Sequence, residues 1–240
     1  MRDKHKDEQY FIEASKWFLT KFKKLWHEFI EIQENKREPY KNMEIHHSAT
    51  VGAFQRYFYS GYSVGLSKFE LGENLAGLRN SLLAYWNKEC SYMNLLFTMS
   101  TAIIYNTPKE EIAEIVNLLV RENYKDFVLD SMANYLMLDF TIRTEELKFK
   151  KSSKPVAEVL TLAKTDKDGA TRRLKHYLER EWLNMQKEGI IDNKAHLADD
   201  AMMVYYGYWC IESAALVIML GLDDTSLKDC KYYPYDLVHG

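Results

Sequence analysis

The amino-acid sequence predicts an all-α protein, organised as a helical two-part bundle with a buried central helix near its C-terminal end. Apolar residues recur at three- and four-residue steps along most of the 240 residues, which is the period of an amphipathic helix. Ten glycines and four prolines are few for this length, whereas folds made of short strands need many tight turns. Residues 201–222 contain Glu212 as their only charged side chain. A helix that is apolar on every side is normally buried, so we predict the central helix over about residues 201–222.

Helical periodicity places four helices in the first part of the chain. Their predicted ranges are residues 7–33, 46–68, 75–86 and 93–105. The run Thr107, Pro108, Lys109, Glu110 has a capping residue, a proline and a glutamate in the order that starts a helix. This fifth helix is expected to end near Arg121.

The second part shows the same periodicity with more interruptions. Asn123 is predicted to cap a helix that reaches about Leu147, and residues 148–154 form a polar linker. A short helix to about residue 163, a helix over residues 168–187 and a turn at residues 189–193 follow. Gly221 suits a left-handed cap at the end of the central helix. Within that helix, Trp209, Leu216 and Met219 are expected to be almost fully buried.

The central segment is long enough to cross a bilayer, but its composition argues against this. Glu212 would lie in mid-membrane, where a charged residue costs about 2.5 to 3.5 kcal/mol. Cys90, Cys210 and Cys230 are odd in number and far apart, which indicates neither a disulfide framework nor a zinc site. The first ten residues lack the apolar stretch of a secretion signal. A cytoplasmic protein without a membrane partner is therefore expected.

Charge is unevenly distributed along the chain. The formal net charge is -3, which does not favour direct binding of nucleic acid, because phosphate neutralisation needs a basic face. Residues 188–240 contain nine Asp and Glu against three Lys, a net charge of -6, whereas the first 187 residues have a net charge of +3. The C-terminal region could therefore attract a basic partner.

The polar residues of the sequence do not form a known catalytic signature. The sequence contains no glycine-rich phosphate loop, no zinc-protease motif and no hydrolase nucleophile motif. A di-metal bundle needs two Glu-x-x-His pairs, and only Glu44 with His47 supplies one. We therefore predict no catalytic residue, no metal and no cofactor. The alternative is a helical metal-dependent hydrolase that uses Glu44 and His47.

Glu212 is expected to be a buried structural charge. A carboxylate within an apolar helix must be protonated or paired, because breaking a buried pair costs about 3 to 5 kcal/mol. The expected partner is a tyrosine hydroxyl or an arginine such as Arg143 or Arg173. A direct contact between Glu212 and a ligand is the alternative.

The last stretch of the chain combines acids with tyrosines and has two interpretations. The acids and Thr225 could cap a short helix, with an aromatic tail packed on the core. They could equally form a recognition surface, because aromatic side chains anchor a partner and acids orient a basic one.

Three segments of the sequence carry a resemblance to a known family. Residues 206–215 (YGYWCIESAA), 220–224 (LGLDD) and 232–237 (YYPYDL) resemble the C-terminal domain of the PoNi family, which are immunity proteins of polymorphic nuclease effectors. Cys210 departs from the small or apolar residue more usual in the family. Arg2 to Lys4, Asp7 with Glu8, and Tyr59 to Ser63 resemble the family's N-terminal domain. The resemblance implies two helical domains, residues 1–118 and 119–240, with the boundary between about residues 106 and 122.

The resemblance also implies a function. It indicates an immunity protein, not an enzyme, that binds and inhibits a cognate bacterial DNase toxin, often one delivered by a type VI or related contact-dependent system. A scaffold for a non-nuclease partner is a further alternative, and the sequence does not distinguish a monomer from a dimer. The predicted partner-binding residues lie in the acidic region: Asp199, Asp200, Asp223, Asp224, Asp229, Tyr232, Tyr235 and Asp236.

Overall fold

The structure, a computed structural model, describes residues 1–86, 92–184 and 192–240. Within these ranges the regular elements are helical and no strand is present. The all-α prediction is confirmed. The chain divides into two compact units, Met1–Cys90 with Lys194–Gly207, and Ser91–Asn193 with Tyr208–Gly240.

The first unit is organised around two long helices. Its helices are α1 (Glu8–Gln33), α2 (Met43–Val64), α3 (Lys68–Gly72) and α4 (Leu75–Tyr85). Helix α2 lies against both α1 and α4. Asp7 caps α1 by accepting a hydrogen bond from Tyr10 N at 2.7 Å, which satisfies one of the free N–H groups of the first turn. Phe22 of α1 and Phe54 of α2 are buried and meet edge to face, with ring centroids 5.1 Å apart.

The second unit is built around α5 and α10. Its helices are α5 (Tyr92–Ile104), α6 (Lys109–Arg121), α7 (Phe127–Leu136), α8 (Lys154–Leu162), α9 (Lys167–His176), α10 (Ile211–Leu220) and α11 (Tyr235–His239). Helix α10 lies against α5 and α11, α5 against α7, and α8 against α9. Helix α6 follows Pro108 without the side-chain cap predicted at Thr107. Helix α9 ends before the predicted residue 187 and continues as a π-helical turn, Tyr177–Glu181.

The predicted central helix over residues 201–222 is wrong in its first half, because α10 begins only at Ile211. Before it, Asp200–Met202 forms a single 3-10 turn. Residues 203–210 then have no regular secondary structure, with positive φ angles at Met203 (46°) and Gly207 (118°) that a right-handed helix cannot contain. The backbone groups of this stretch bond to other segments: Tyr10 Oη donates to Tyr205 O at 2.6 Å. These long-range bonds replace the local bonds that a helix would make.

Helix α10 itself is the buried helix of the second unit. Residues 211–217 are all buried, and Trp209 and Leu216 are buried as predicted. Met219 is only partly buried, because the last turn of α10 approaches the surface before Gly221. Gly221 adopts the predicted left-handed conformation, with φ of 58°.

The predicted helix from Asn123 to Leu147 is also shorter in the structure. Asp126 caps α7 by accepting hydrogen bonds from Val128 N at 3.0 Å and from Leu129 N at 3.1 Å. Helix α7 ends at Leu136, and irregular backbone follows.

The compact units are bounded differently from the predicted domains 1–118 and 119–240. Helices α5 and α6 fall in the second unit, because α5 packs on α7 and α10. The division into 1–118 and 119–240 as domains of the family remains a prediction. In the part of the chain that the structure describes, no helix is both long and apolar enough to cross a membrane. Cys90 and most of the predicted turn at residues 189–193 lie outside the described residues, whereas Cys210 and Cys230 are buried free thiols.

Candidate functional site

Asp199 and Asp200 are exposed on a short turn of the first unit. Asp199 accepts a hydrogen bond from Ala201 N at 2.9 Å. Asp200 forms an ion pair with Lys6, whose ammonium also donates to Ala198 O at 2.9 Å. Both carboxylates are therefore held at the surface, and a lysine partly neutralises the charge of Asp200.

Asp223, Asp229 and Asp236 are exposed in the second unit. The Asp223 carboxylate accepts hydrogen bonds from Thr225 Oγ1 at 2.6 Å and from Thr225 N at 2.9 Å. These bonds lower the pKa of Asp223, so its side chain is charged at neutral pH. These three positions are compatible with the predicted acidic surface.

Asp224, which was predicted to join that surface, is buried and only 6% exposed. Its Oδ2 accepts a hydrogen bond from Tyr233 Oη at 2.6 Å and lies 2.8 Å from His239 Nε2. The prediction of an exposed Asp224 is wrong, because this carboxylate attaches the C-terminal residues to the loop that follows α10.

Tyr232 and Tyr235 are partly buried. The ring of Tyr232 meets Tyr208 edge to face at 6.2 Å, and the ring of Tyr235 stacks on His239 at 4.2 Å. Each ring is supported by a neighbour and leaves part of its surface in solvent. This arrangement fits an aromatic anchor and also fits simple packing, as the sequence interpretation left open.

Glu212 lies in the first turn of α10 and is only 5% exposed. Tyr177 Oη donates a hydrogen bond to Glu212 Oε1 at 3.2 Å, so the partner is the tyrosine hydroxyl of the predicted alternatives. Burial raises the pKa of Glu212, and hydrogen bonds, including those from Cys210 and Tyr177, oppose this shift.

The two arginines proposed for Glu212 pair elsewhere. Arg143 binds Asp130, while Arg173 Nε lies 2.6 Å from Glu158 Oε2 and Arg173 Nη2 lies 3.0 Å from Glu181 Oε2.

A cavity of about 10 Å³ adjoins Glu212 and is also lined by Tyr92, Ser153, Tyr177 and Trp182. This volume holds about one water molecule, whereas sites for small molecules measure about 300 to 1,000 Å³. Among the described residues, Glu212 therefore belongs to a buried polar network, and the cavity beside it is too small for a substrate.

A second buried network, which the sequence did not predict, lies at the start of α7. Tyr92 Oη donates to Asp126 Oδ1 at 3.3 Å, and Ser153 Oγ donates to Tyr92 Oη at 3.1 Å. Burial raises the pKa of Asp126, and its hydrogen bonds oppose the shift. Asp126 and Asp130, four residues apart in a largely apolar stretch of the sequence, were the available signal, because buried acids need partners.

The residues of the alternative metal site are not arranged as ligands. Glu44 is exposed, whereas His47 is buried with its ring edge to face with Phe29 at 4.9 Å. Burial lowers the pKa of His47. Over residues 1–86, 92–184 and 192–240, no group of three His, Cys, Asp or Glu residues could hold a metal ion.

Comparison with known proteins finds a family match in the second half of the chain. The sequence model for PoNe immunity proteins (PoNi), C-terminal, matches residues 124–237. These residues therefore resemble the C-terminal domain of PoNe immunity proteins. A search of curated proteins finds no match.

A solved structure shares the fold of the whole chain. Protein PA2201 from Pseudomonas aeruginosa is similar with a TM-score of 0.65, at 16% sequence identity, over 98% of this chain and 88% of that chain. Identity this low establishes a common fold and nothing further.

The PoNi match includes Glu212, Tyr177 and Asp126, whereas Tyr92 lies outside it. It also includes every predicted partner-binding residue. It also includes residues 194–207, which the structure assigns to the first compact unit. The family is one of immunity proteins, which supports an immunity function for this chain.

Proposed function

We propose that this chain is an immunity protein that binds a cognate bacterial DNase toxin and inhibits it by stoichiometric occlusion. The match of residues 124–237 to PoNe immunity proteins carries the proposal. In this proposal the chain acts by binding, without catalysis, in the cytoplasm of a cell exposed to toxin from a type VI or related contact-dependent system.

Electrostatics supports a nuclease as the partner. A protein that binds DNA must neutralise phosphates and therefore presents basic side chains. The region from residue 188 onwards has a net charge of -6, and Asp199, Asp200, Asp223, Asp229 and Asp236 are exposed within it. Such carboxylates accelerate the encounter with a basic protein and occupy the place of phosphates.

Protection of a cell requires inhibition at low toxin concentration. Nanomolar binding corresponds to about -12 kcal/mol and is typical of interfaces of roughly 1,600 Å². The exposed acids alone do not provide such an interface, so apolar contacts are also required.

The first test measures DNA cleavage by the nuclease encoded next to this gene, with increasing amounts of the purified chain. We expect cleavage to stop at an equimolar ratio. Full nuclease activity at that ratio would refute the proposed function.

The second test measures the association rate against salt concentration for D199N/D200N and for D223N/D229N. We expect slower association and a shallower salt dependence for at least one pair. The matched control is E110Q/E111Q, which removes two exposed acids from α6. If both pairs behave like this control, the acidic residues do not face the toxin.

A further inference from the structure

Residues 137–149, here named the 137–149 loop, connect α7 towards α8 without regular secondary structure. Irregular connections of about 12 residues or more are uncommon in compact proteins and usually carry function. This loop occupies the place where the sequence predicted the last turns of a helix.

A buried ion pair fixes the loop from within. Asp130 of α7 is fully buried, and its Oδ1 lies 2.6 Å from Arg143 Nη2. The same carboxylate accepts a hydrogen bond from Arg143 N at 2.7 Å. Arg143 also donates to Leu119 O at 3.0 Å and to Tyr124 O at 2.7 Å. One side chain therefore ties the middle of the loop to the end of α6 and to α7.

Further hydrogen bonds fix both ends of the loop. Asn134 Nδ2 donates to Phe140 O at 2.5 Å. Phe127 N donates to Glu146 O at 2.8 Å, and Lys148 N donates to Asp126 Oδ2 at 2.9 Å. A loop held this firmly loses little conformational entropy when it binds a partner.

The loop presents apolar and acidic side chains to solvent. Leu138 is 79% exposed and Ile142 is 37% exposed. Asp139, Glu145 and Glu146 are also exposed, and none of them forms an ion pair with another described residue. The exposed basic residue of the loop is Lys148, whose ammonium lies 3.5 Å from the centre of the Tyr124 ring. The exposed side chains thus have more negative than positive charge.

An open groove of about 510 Å³ adjoins the loop. Glu145 lines it together with residues of α7, α8 and α9, among them Phe127, Leu162 and Arg173. Lys164, in the turn between α8 and α9, also lines the groove. The loop and the groove together form a surface with both projecting and concave parts, which a protein partner can fill.

We propose that the 137–149 loop is the primary docking surface for the nuclease toxin, with Leu138 and Ile142 as apolar anchors. Asp139, Glu145 and Glu146 then face basic residues at the rim of the toxin's binding patch. The inference rests on the proposed function and adds to it the surface that holds the toxin.

The exposed charges favour the toxin over a second copy of this chain. A two-fold symmetric interface places the same patch on both subunits, so three acids would face three identical acids. Like charges placed together at an interface cost several kcal/mol. A basic nuclease surface instead complements them.

The decisive variant is L138S/I142S, tested against an inactive form of the adjacent-gene nuclease by surface plasmon resonance. In the complex, the toxin would bury these two apolar side chains. Removing such anchors mainly accelerates dissociation, so we expect the dissociation rate to rise at least tenfold. The matched control is I45S/F69S, because Ile45 and Phe69 are exposed apolar residues of the first unit outside the acidic region. We expect this control to dissociate like the wild type. Circular dichroism and thermal unfolding establish that both variants are folded.

A second variant keeps the test informative if the first one is unstable. D139K/E146K reverses two exposed charges and is expected to lower the association rate at low salt at least fivefold. A wild-type dissociation rate for L138S/I142S, or an equal rise in the I45S/F69S control, would overturn the loop assignment while leaving the immunity function intact. A wild-type dimer that L138S/I142S makes monomeric, with unchanged toxin binding, would assign the loop to self-association instead. A wild-type chain that neither binds nor inhibits the nuclease would overturn the proposed function itself.

Discussion

Tyr177 donates a hydrogen bond to Glu212 across 3.2 Å in the interior of the second unit. Burial raises the pKa of Glu212 above its ordinary value of 4.5, so the folded state binds this proton more tightly than the unfolded state does. The resulting stabilisation is complete below pH 4.5 and is lost as the pH rises through the folded-state pKa.

We therefore expect the wild-type free energy of unfolding to decrease as the pH rises above about 4.5. E212Q should lack this decrease, because glutamine does not titrate. Urea unfolding at pH 4 to 8 measures it. The control E114Q alters an exposed glutamate of α6 and should keep the wild-type profile. An E212Q profile parallel to that of the wild type would show that Glu212 does not titrate in this range.

His47 should produce a pH dependence of opposite sign. Burial lowers its pKa below the ordinary 6.5, and nearby His46 adds to the effect. The neutral ring therefore stabilises the fold above pH 6.5, and this stabilisation is lost as the pH falls through the folded-state pKa.

The variant H47F keeps an aromatic ring beside Phe29 and cannot be protonated, so its unfolding free energy should fall less between pH 6.5 and 5. Chemical unfolding at several pH values measures this. The comparison variant is H27Q, since His27 is exposed. If the free energy of unfolding falls as much in H47F as in H27Q when the pH is lowered, protonation of His47 does not cause the loss of stability in the wild type.

Most helices were predictable from the sequence because their apolar periodicity is local information. In the structure, α1 begins at Glu8 and ends at Gln33, close to the predicted residues 7–33. The prediction fails where distant partners decide the backbone. Tyr10 binds the backbone of Tyr205, and Arg143 with Asp130 fixes the 137–149 loop. The spacing of apolar residues along the sequence does not indicate these long-range bonds.

The candidate site was predictable to a smaller extent. A hydrogen-bonding partner for Glu212, either a tyrosine or an arginine, follows from the cost of burying a carboxylate. The choice of Tyr177 does not follow from the sequence. The burial of Asp224 does not follow, because the same acid-rich sequence suits a surface or a cap. The exposure of Leu138 and Ile142 could not be expected either, since both fit the apolar face of the helix that the sequence predicts.

The ion pair of Arg143 and Asp130 should dominate the stability of the 137–149 loop. Removing one partner of a buried pair costs about 3 to 5 kcal/mol, so we expect a loss of this size for R143A in guanidinium unfolding. R143K should recover only part of it, because lysine cannot reproduce the planar fork of donors. The control R172A removes an exposed arginine whose pair with Asp166 spans 3.5 Å, and it should change stability by less than about 1 kcal/mol. An R143A loss no larger than the R172A loss would mean that solvent compensates the pair.

Variants of Asp224 and Asp229 should distinguish an acid that stabilises the fold from an acid that binds the partner. Asp224 accepts a hydrogen bond from buried Tyr233 and lies 2.8 Å from His239 Nε2, and hydrogen bonds to charged groups contribute about 1.5 to 3 kcal/mol each. We expect D224N to lower the free energy of unfolding by about this amount and to leave the salt dependence of toxin association unchanged.

D229N alters an exposed carboxylate and should change stability by no more than about 0.5 kcal/mol. We expect it to make the salt dependence of association shallower, because it removes a charge that attracts the basic toxin. Y233F should lose stability like D224N, and the two losses combined should be less than additive because they remove the same bond. Wild-type stability of D224N together with slower association would instead place the Asp224 carboxylate at the interface and contradict its structural role.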